Sequence, residues 1–262
     1  MPYNLYQINA FTASSFGGNP ACIVPLEYWL PDDVLLKITK ENAVAETAFF
    51  VKDENKIHLR WFTPEIEMDL CGHATLATAH CLKTFFNYTN DNIVFKTASG
   101  ELSVKSDGDV YHMNLPSRMP VSDVLPEVIS QALNIQPIAT LKSRDYVLVF
   151  NSEDEVQNIK INRPLFDTIN LDPGGVIVTA VGNHCDFVSR YFTPQASILE
   201  DPVTGSAHCS LVPYWAKQLT KKTLYAQQIS ERKGTLYAQD KGDRIILSGK
   251  AKTYAMGKFW ID

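Results

Sequence analysis

The chain has 262 residues, 45% of them apolar, with a formal net charge of −5 and a pI near 5.7. That is enough apolar sequence for a sizeable core, in one large domain or two small ones, while the acidic balance argues against phosphate-backbone binding and so against a nucleic-acid partner. No apolar run reaches bilayer length, the first residues lack the regions of a signal peptide, and the five cysteines suggest no paired framework; the expectation is a cytoplasmic protein with no membrane partner.

Residues 5–11 alternate like a half-buried strand. A turn cluster at Gly17-Gly18-Asn19-Pro20 leads into a strand at 21–24, and Pro31-Asp32-Asp33 opens a short helix to about Ala43. Residues 46–51 and 56–62 predict a hairpin about Asp53, Glu54 and Asn55. Residues 72–86 are apolar nearly all round, which predicts a buried helix. Strand patterns follow at 92–97, 100–105 and 110–115, then a linker punctuated by Pro116, Pro120 and Pro126, and a short helix at 127–133.

The second half reads in the same order. It has strands at 146–150, 175–181 and 186–192, a helical stretch at 154–160, a second buried helix at 205–219, and strands at 224–229, 234–238 and 245–247. Strands outnumber helices, and one buried helix sits amid each set. That pattern favours two barrel-like sheets, each wrapped on a helix, over a doubly wound parallel sheet. The expected division is 1–116 and 117–262, with a final strand near 255–262 packing on the N-terminal half.

One stretch is written twice. Arg60-Trp61-Phe62-Thr63-Pro64 precedes Asp69-Leu70-Cys71-Gly72-His73, and Arg190-Tyr191-Phe192-Thr193-Pro194 precedes Asp201-Pro202-Val203-Thr204-Gly205-Ser206. Phe62 and Phe192 are 130 positions apart, too long a period for a solenoid. It predicts two like-folded halves, each bringing an aspartate and a glycine turn to a shared cleft, with Asp69 corresponding to Asp201 and His73 to Ser206. Each buried helix would begin at a glycine, where free N–H groups and the positive helix end bind carboxylates. A single copy would read as a tight turn entering a buried helix; the duplication of the polar residues favours a site.

The halves differ in one carboxylate. Glu46 falls opposite Val176, and the apolar Phe49-Phe50-Val51 after it marks a buried strand. A carboxyl partly desolvated there has its pKa raised toward the range useful for proton transfer. A two-thiol racemase needs a cysteine on each side, but Cys71 before Gly72 faces Thr204 before Gly205. Cys22, Cys81, Cys185 and Cys209 read as small buried fillers. His73 and His80, seven apart on one helix, would lie about 10 Å apart, too far to share an ion. With no phosphate cradle in the sequence, neither metal nor cofactor is expected.

Gly18-Asn19-Pro20-Ala21, Glu46-Thr47-Ala48-Phe49, Asp69-Leu70-Cys71-Gly72-His73-Ala74-Thr75 and Glu200-Asp201-Pro202-Val203-Thr204-Gly205-Ser206-Ala207 together resemble the PhzF family of phenazine-biosynthesis isomerase-like proteins. The resemblance covers essentially the whole chain. It implies an α+β, diaminopimelate-epimerase-like fold: two pseudo-symmetric domains, each a curled sheet around a central helix. It also implies a cofactor-independent isomerase, commonly a homodimer, that moves a proton on a small carboxylate-bearing metabolite. By resemblance Glu46 is the catalytic acid/base, assisted by His73, Asp201 and Ser206, with Gly72, Gly205, Asn19 and Asp69 holding substrate. The alternatives are a racemase or epimerase pairing Glu46 with His73 or Cys71, and a non-catalytic metabolite-binding protein.

Overall fold

In a computed structural model that describes residues 2–53, 56–171 and 174–261, the alternating stretches are strands and the apolar stretches helices. The chain forms two compact units, Met1–Asn114 with Ser248–Asp262, and Leu115–Leu247. Among the described residues no helix is long and apolar enough to cross a membrane.

The first unit contains β1 (Pro2–Ala10), β2 (Asn19–Leu26), α1 (Asp32–Asn42), β3 (Glu46–Asp53), β4 (Lys56–Phe62), β5 (Glu67–Met68), α2 (Gly72–Phe85), β6 (Asn92–Thr97), β7 (Gly100–Asp107) and most of β8 (Val110–Pro116). β1 and β2 are antiparallel and β2 and β3 parallel. β3–β4 is a hairpin, β4 and β6 run parallel, and β6–β7–β8 is a meander. Of the predicted hairpin turn, Glu54 and Asn55 lie outside the described residues. Residues 72–79 of α2 are all buried, as are Cys81 and Leu82, and the helix packs on β1, β2 and β3. That all-round burial is why its sequence carries no polar face. Both ring nitrogens of His80 are hydrogen-bonded: Nδ1 meets the Tyr111 hydroxyl at 3.2 Å and Nε2 the Thr253 hydroxyl at 3.0 Å. α1 covers Val24, Leu26, Phe49 and Phe62 through Leu35 and Ile38.

The second unit contains β9 (Val121–Ser122), α3 (Glu127–Ala132), β10 (Ala139–Lys142), β11 (Tyr146–Val149), α4 (Glu153–Gln157), α5 (Arg163–Phe166), β12 (Val176–Val181), β13 (Phe187–Phe192), β14 (Glu200–Asp201), α6 (His208–Leu219), β15 (Thr223–Gln228) and β16 (Gly234–Asp240). The last strand, β17 (Arg244–Trp260), starts here and from Ser248 belongs to the first unit, where it pairs with β1. Pairing repeats the order of the first unit: β11 parallel to β12, β12 antiparallel to β13, β13 to the short β14, β13 parallel to β15, and β15 antiparallel to β16. α6 packs on β15 and β16.

The repeated Arg-x-Phe is structural in both copies. Arg60 forks onto both carboxylate oxygens of Glu67 (2.7 and 2.6 Å) and lies over the Phe62 ring. Arg190 does the same with Glu200 (2.7 and 2.8 Å) and Phe192. A bidentate, ring-stacked arginine is a strong geometric clamp. Each clamp fixes the two-residue strand that leads to the helix.

Register corrects the repeat. Phe62 faces Glu67 and Phe192 faces Glu200, so Asp201 corresponds to Met68, not Asp69. Thr47 faces Phe62 and Val176 faces Phe192, so Glu46 corresponds to Gly175, not Val176. The carboxylate is still on one side only. The second helix is also corrected: α2 starts at Gly72, but α6 starts at His208 rather than Gly205. Residues 205–210 make i→i+3 bonds (His208 N to Gly205 O, Cys209 N to Ser206 O, Ser210 N to Ala207 O), a tighter first turn. Pro213 inside α6 cannot donate to Cys209 O; that carbonyl accepts instead from the Arg118 N–H at 2.8 Å.

Candidate active site

Two chain segments build the cluster in the first unit. α1 ends at Ala43, whose left-handed backbone (φ 51°) closes the helix onto Lys40 O. The Asn42 amide then bonds the buried Thr47 hydroxyl at 3.0 Å, tying the helix end to the start of β3, where Glu46 sits. The second segment is the entry to α2. Cys71 caps it in extended conformation with no side-chain capping bond, and Gly72 and His73 are its first two residues. Thr75 Oγ1 donates to Cys71 O at 2.6 Å and so fixes the turn.

These segments bring Glu46, Cys71 and His73 together. Among the described residues they are the one group of three acidic, thiol or imidazole side chains whose ligand-type atoms lie within 4.8 Å of one another. His73 Nδ1 faces Cys71 Sγ at 3.5 Å and Nε2 faces Glu46 Oε2 at 3.0 Å. The second contact is close but out of line, so Nε2 and Oε2 each lack a hydrogen-bond partner. His73 is 3% exposed and Glu46 15%. Burial alone would hold His73 neutral, but the Cys71 sulfur and the Glu46 carboxylate outweigh it and raise its pKa well above the usual value. Burial pushes the Cys71 thiol up. The arrangement is a largely dry carboxylate–imidazole pair backed by a thiol, suited to holding and moving one proton.

The other expected residues fall as follows. Asn19 is fully buried at the head of β2. Asp69 is exposed; the Ser99 hydroxyl bonds its backbone carbonyl, and it is not part of the cluster. In the second unit, Asp201 accepts from Thr204 Oγ1 at 2.5 Å. Gln228 locks the same turn, accepting from Thr204 N (2.8 Å) and donating to Asp201 O (2.7 Å). Gly205 is buried and Ser206 half-buried in that turn. His208 Nδ1 donates to Thr204 O at 2.8 Å, the place that Thr75 holds in the first unit. Sequence reasoning missed Gln228, which carries no motif, and the Cys71–His73 contact, for which the i, i+2 spacing across a glycine turn was the available signal. Cys22, Cys81 and Cys209 are buried fillers, their thiols pushed up by burial to about 12, about 12 and about 11.

Comparison with known proteins defines the class first. The chain matches a PhzF-family protein of Enterococcus faecalis over the full length of both chains (41% identity, TM-score 0.94). A hydroxyproline epimerase of Agrobacterium vitis shares the fold at 8% identity (TM-score 0.61, 98% of this chain and 92% of that one). The fold is therefore the diaminopimelate-epimerase-like one, with two pseudo-symmetric curled sheets around buried helices. A family model for phenazine biosynthesis-like proteins, PhzC-PhzF, matches residues 8–257. An uncharacterized isomerase of Pseudomonas aeruginosa is 44% identical over 98% of each chain, and a human phenazine biosynthesis-like domain-containing protein 35% identical over 98% of this chain and 99% of its own. The chain belongs to the PhzF family and is an isomerase.

Proposed function

We propose that this isomerase moves a proton between positions of a small carboxylate-bearing metabolite by single-glutamate acid/base catalysis, with Glu46 as the acid/base. The observation that carries the reading is the contact of Glu46 with His73 at 3.0 Å, both side chains largely withdrawn from water. No carboxylate stands at the corresponding place of the repeat, which is Gly175. A Cβ at Gly175 would lie 2.6 Å from the Tyr191 hydroxyl oxygen and 2.7 Å from Phe192 O, so that strand start has no room for an acid.

In this reading Glu46 takes a proton from carbon and returns it at another carbon, and charge on the carboxylate is balanced by His73. The N–H groups that open α2 at Gly72 receive the substrate carboxylate. Asp201, Ser206, Gly205, Asn19 and Asp69 keep the roles that family resemblance implies. Burial raises the Cys71 pKa, which argues for one base rather than a glutamate–thiolate pair, which epimerisation with Cys71 would need. The enzyme works without a cofactor, in the cytoplasm and as a homodimer; its cysteines, free in the structure, suit a reducing compartment.

The test is incubation with candidate carboxylates in deuterium oxide. Exchange with a change of constitution supports the reading. Exchange with inversion transfers it to an epimerase, and binding without exchange to a metabolite-binding protein.

A further inference from the structure

Buried polar atoms without partners call for an explanation, and the described residues hold two of them face to face, Glu46 Oε2 and His73 Nε2. A third donor of different softness, Cys71 Sγ, completes the group within 4.8 Å. Tetrahedral zinc binds sulfur at about 2.3 Å and nitrogen or oxygen at about 2.0–2.2 Å, which sets ligand atoms about 3.3–3.7 Å apart. Those two contacts, at 3.5 and 3.0 Å, are made by opposite nitrogens of the ring, and one ion takes only one of them; the ligand atoms of the three side chains lie within 4.8 Å of one another, so closure needs the group to draw in by about an ångström.

We propose that Glu46, Cys71 and His73 form a binding site for a thiophilic divalent cation, Zn2+ in the first instance, and that its occupation shuts off proton transfer. Zn2+ takes up the unpartnered carboxylate oxygen and an imidazole nitrogen. Cys71 gives its thiol proton to solvent as the S–Zn bond forms, and the fourth position is left to water or to an anion. A thiolate–imidazole–carboxylate set matches zinc and excludes magnesium, which demands oxygen ligands in octahedral array. The positive end of α2 opposes any cation at this place. Two anionic ligands outweigh it. The binding claim is independent of the proposed reaction; only the inhibition rests on Glu46 being the acid/base.

Binding is therefore read without substrate. Purified protein, dialysed against chelator, is titrated with Zn2+ by calorimetry and with Co2+ by absorption. We expect one ion per chain, a thiolate-to-cobalt charge-transfer band, and no binding of Mg2+. Cys71→Ser is expected to abolish the band, and Cys71→Ser and Glu46→Gln each to weaken Zn2+ binding at least about tenfold, in proteins whose circular dichroism shows them folded. Should either variant fail to fold, the wild-type cobalt band alone decides: its absence overturns the site. Zn2+ binding of unchanged strength in both folded variants overturns it as well. Exchange that continues at saturating Zn2+ in a protein showing the band overturns the inhibition, and with it the role of Glu46, while leaving the site.

Discussion

Acidification should strip stability from the second unit through one residue, His208. Its side chain is wholly buried, Nδ1 donates to Thr204 O, Nε2 has no partner, and its ring leans on Phe187, which stacks on Trp215. Burial, opposed in part by the bond to Thr204 O, lowers its pKa to about 4. The unfolded chain titrates near 6.5, so between these values the unfolded state binds a proton that the native state refuses. Stability is then full above about pH 6.5 and falls as pH drops toward 4, at up to about 1.4 kcal/mol per pH unit, or about 3 kcal/mol in all. The assay is urea unfolding between pH 7.5 and 4.5 for the wild type and for His208→Gln. Carboxylates titrate in both proteins and cancel in the difference. The wild type should lose about 2.5 kcal/mol relative to the variant across that window. A difference constant with pH would mean that His208 is not held neutral, and the reasoning would fail.

Three further substitutions follow from the packing. Gly175→Ala drives a Cβ against the Tyr191 hydroxyl and Phe192 O and should cost at least about 2 kcal/mol in thermal or urea unfolding. Gly257→Ala, where a Cβ meets nothing within 4 Å, is the control that should leave stability unchanged. Thr204→Val removes the hydroxyl from Asp201 while keeping volume, and should cost about 1–3 kcal/mol by the same measurement; a neutral result would show that the Thr204 hydroxyl does not hold the Asp201 turn.

Much of this was legible in the sequence. Alternation marks β4, continuous apolar runs mark β3, β12 and β13, which are buried on both faces, and all-round apolarity marks α2 because it is enclosed. The two-residue strands β5 and β14 were not legible, since two residues carry no periodicity. β17 was read as separate pieces because its outer stretch, residues 254–258, is exposed on both faces and loses alternation. The repeat misled by one residue at each end. The loop between β13 and β14 is longer than that between β4 and β5, and the span from Val176 to Phe192 is one residue longer than that from Thr47 to Phe62, so one offset cannot serve both sides of the repeated motif. Asp69 was thereby matched to Asp201 when strand pairing matches Met68. The Glu46–His73 contact was reachable only through family resemblance, because nothing local in either segment tells that β3 and α2 start side by side.

The account stands or falls on Glu46. A general acid/base contributes about 10²–10⁴-fold to rate. Solvent-deuterium exchange into a substrate found by the carboxylate screen is to be measured for Glu46→Gln beside Cys71→Ala, with substrate binding measured by calorimetry. Glu46→Gln should lower exchange at least about 100-fold with little change in binding, and Cys71→Ala should lose far less. If Cys71→Ala abolishes exchange while Glu46→Gln stays within about twofold of wild type, the carboxylate is not the base and a thiol takes its place.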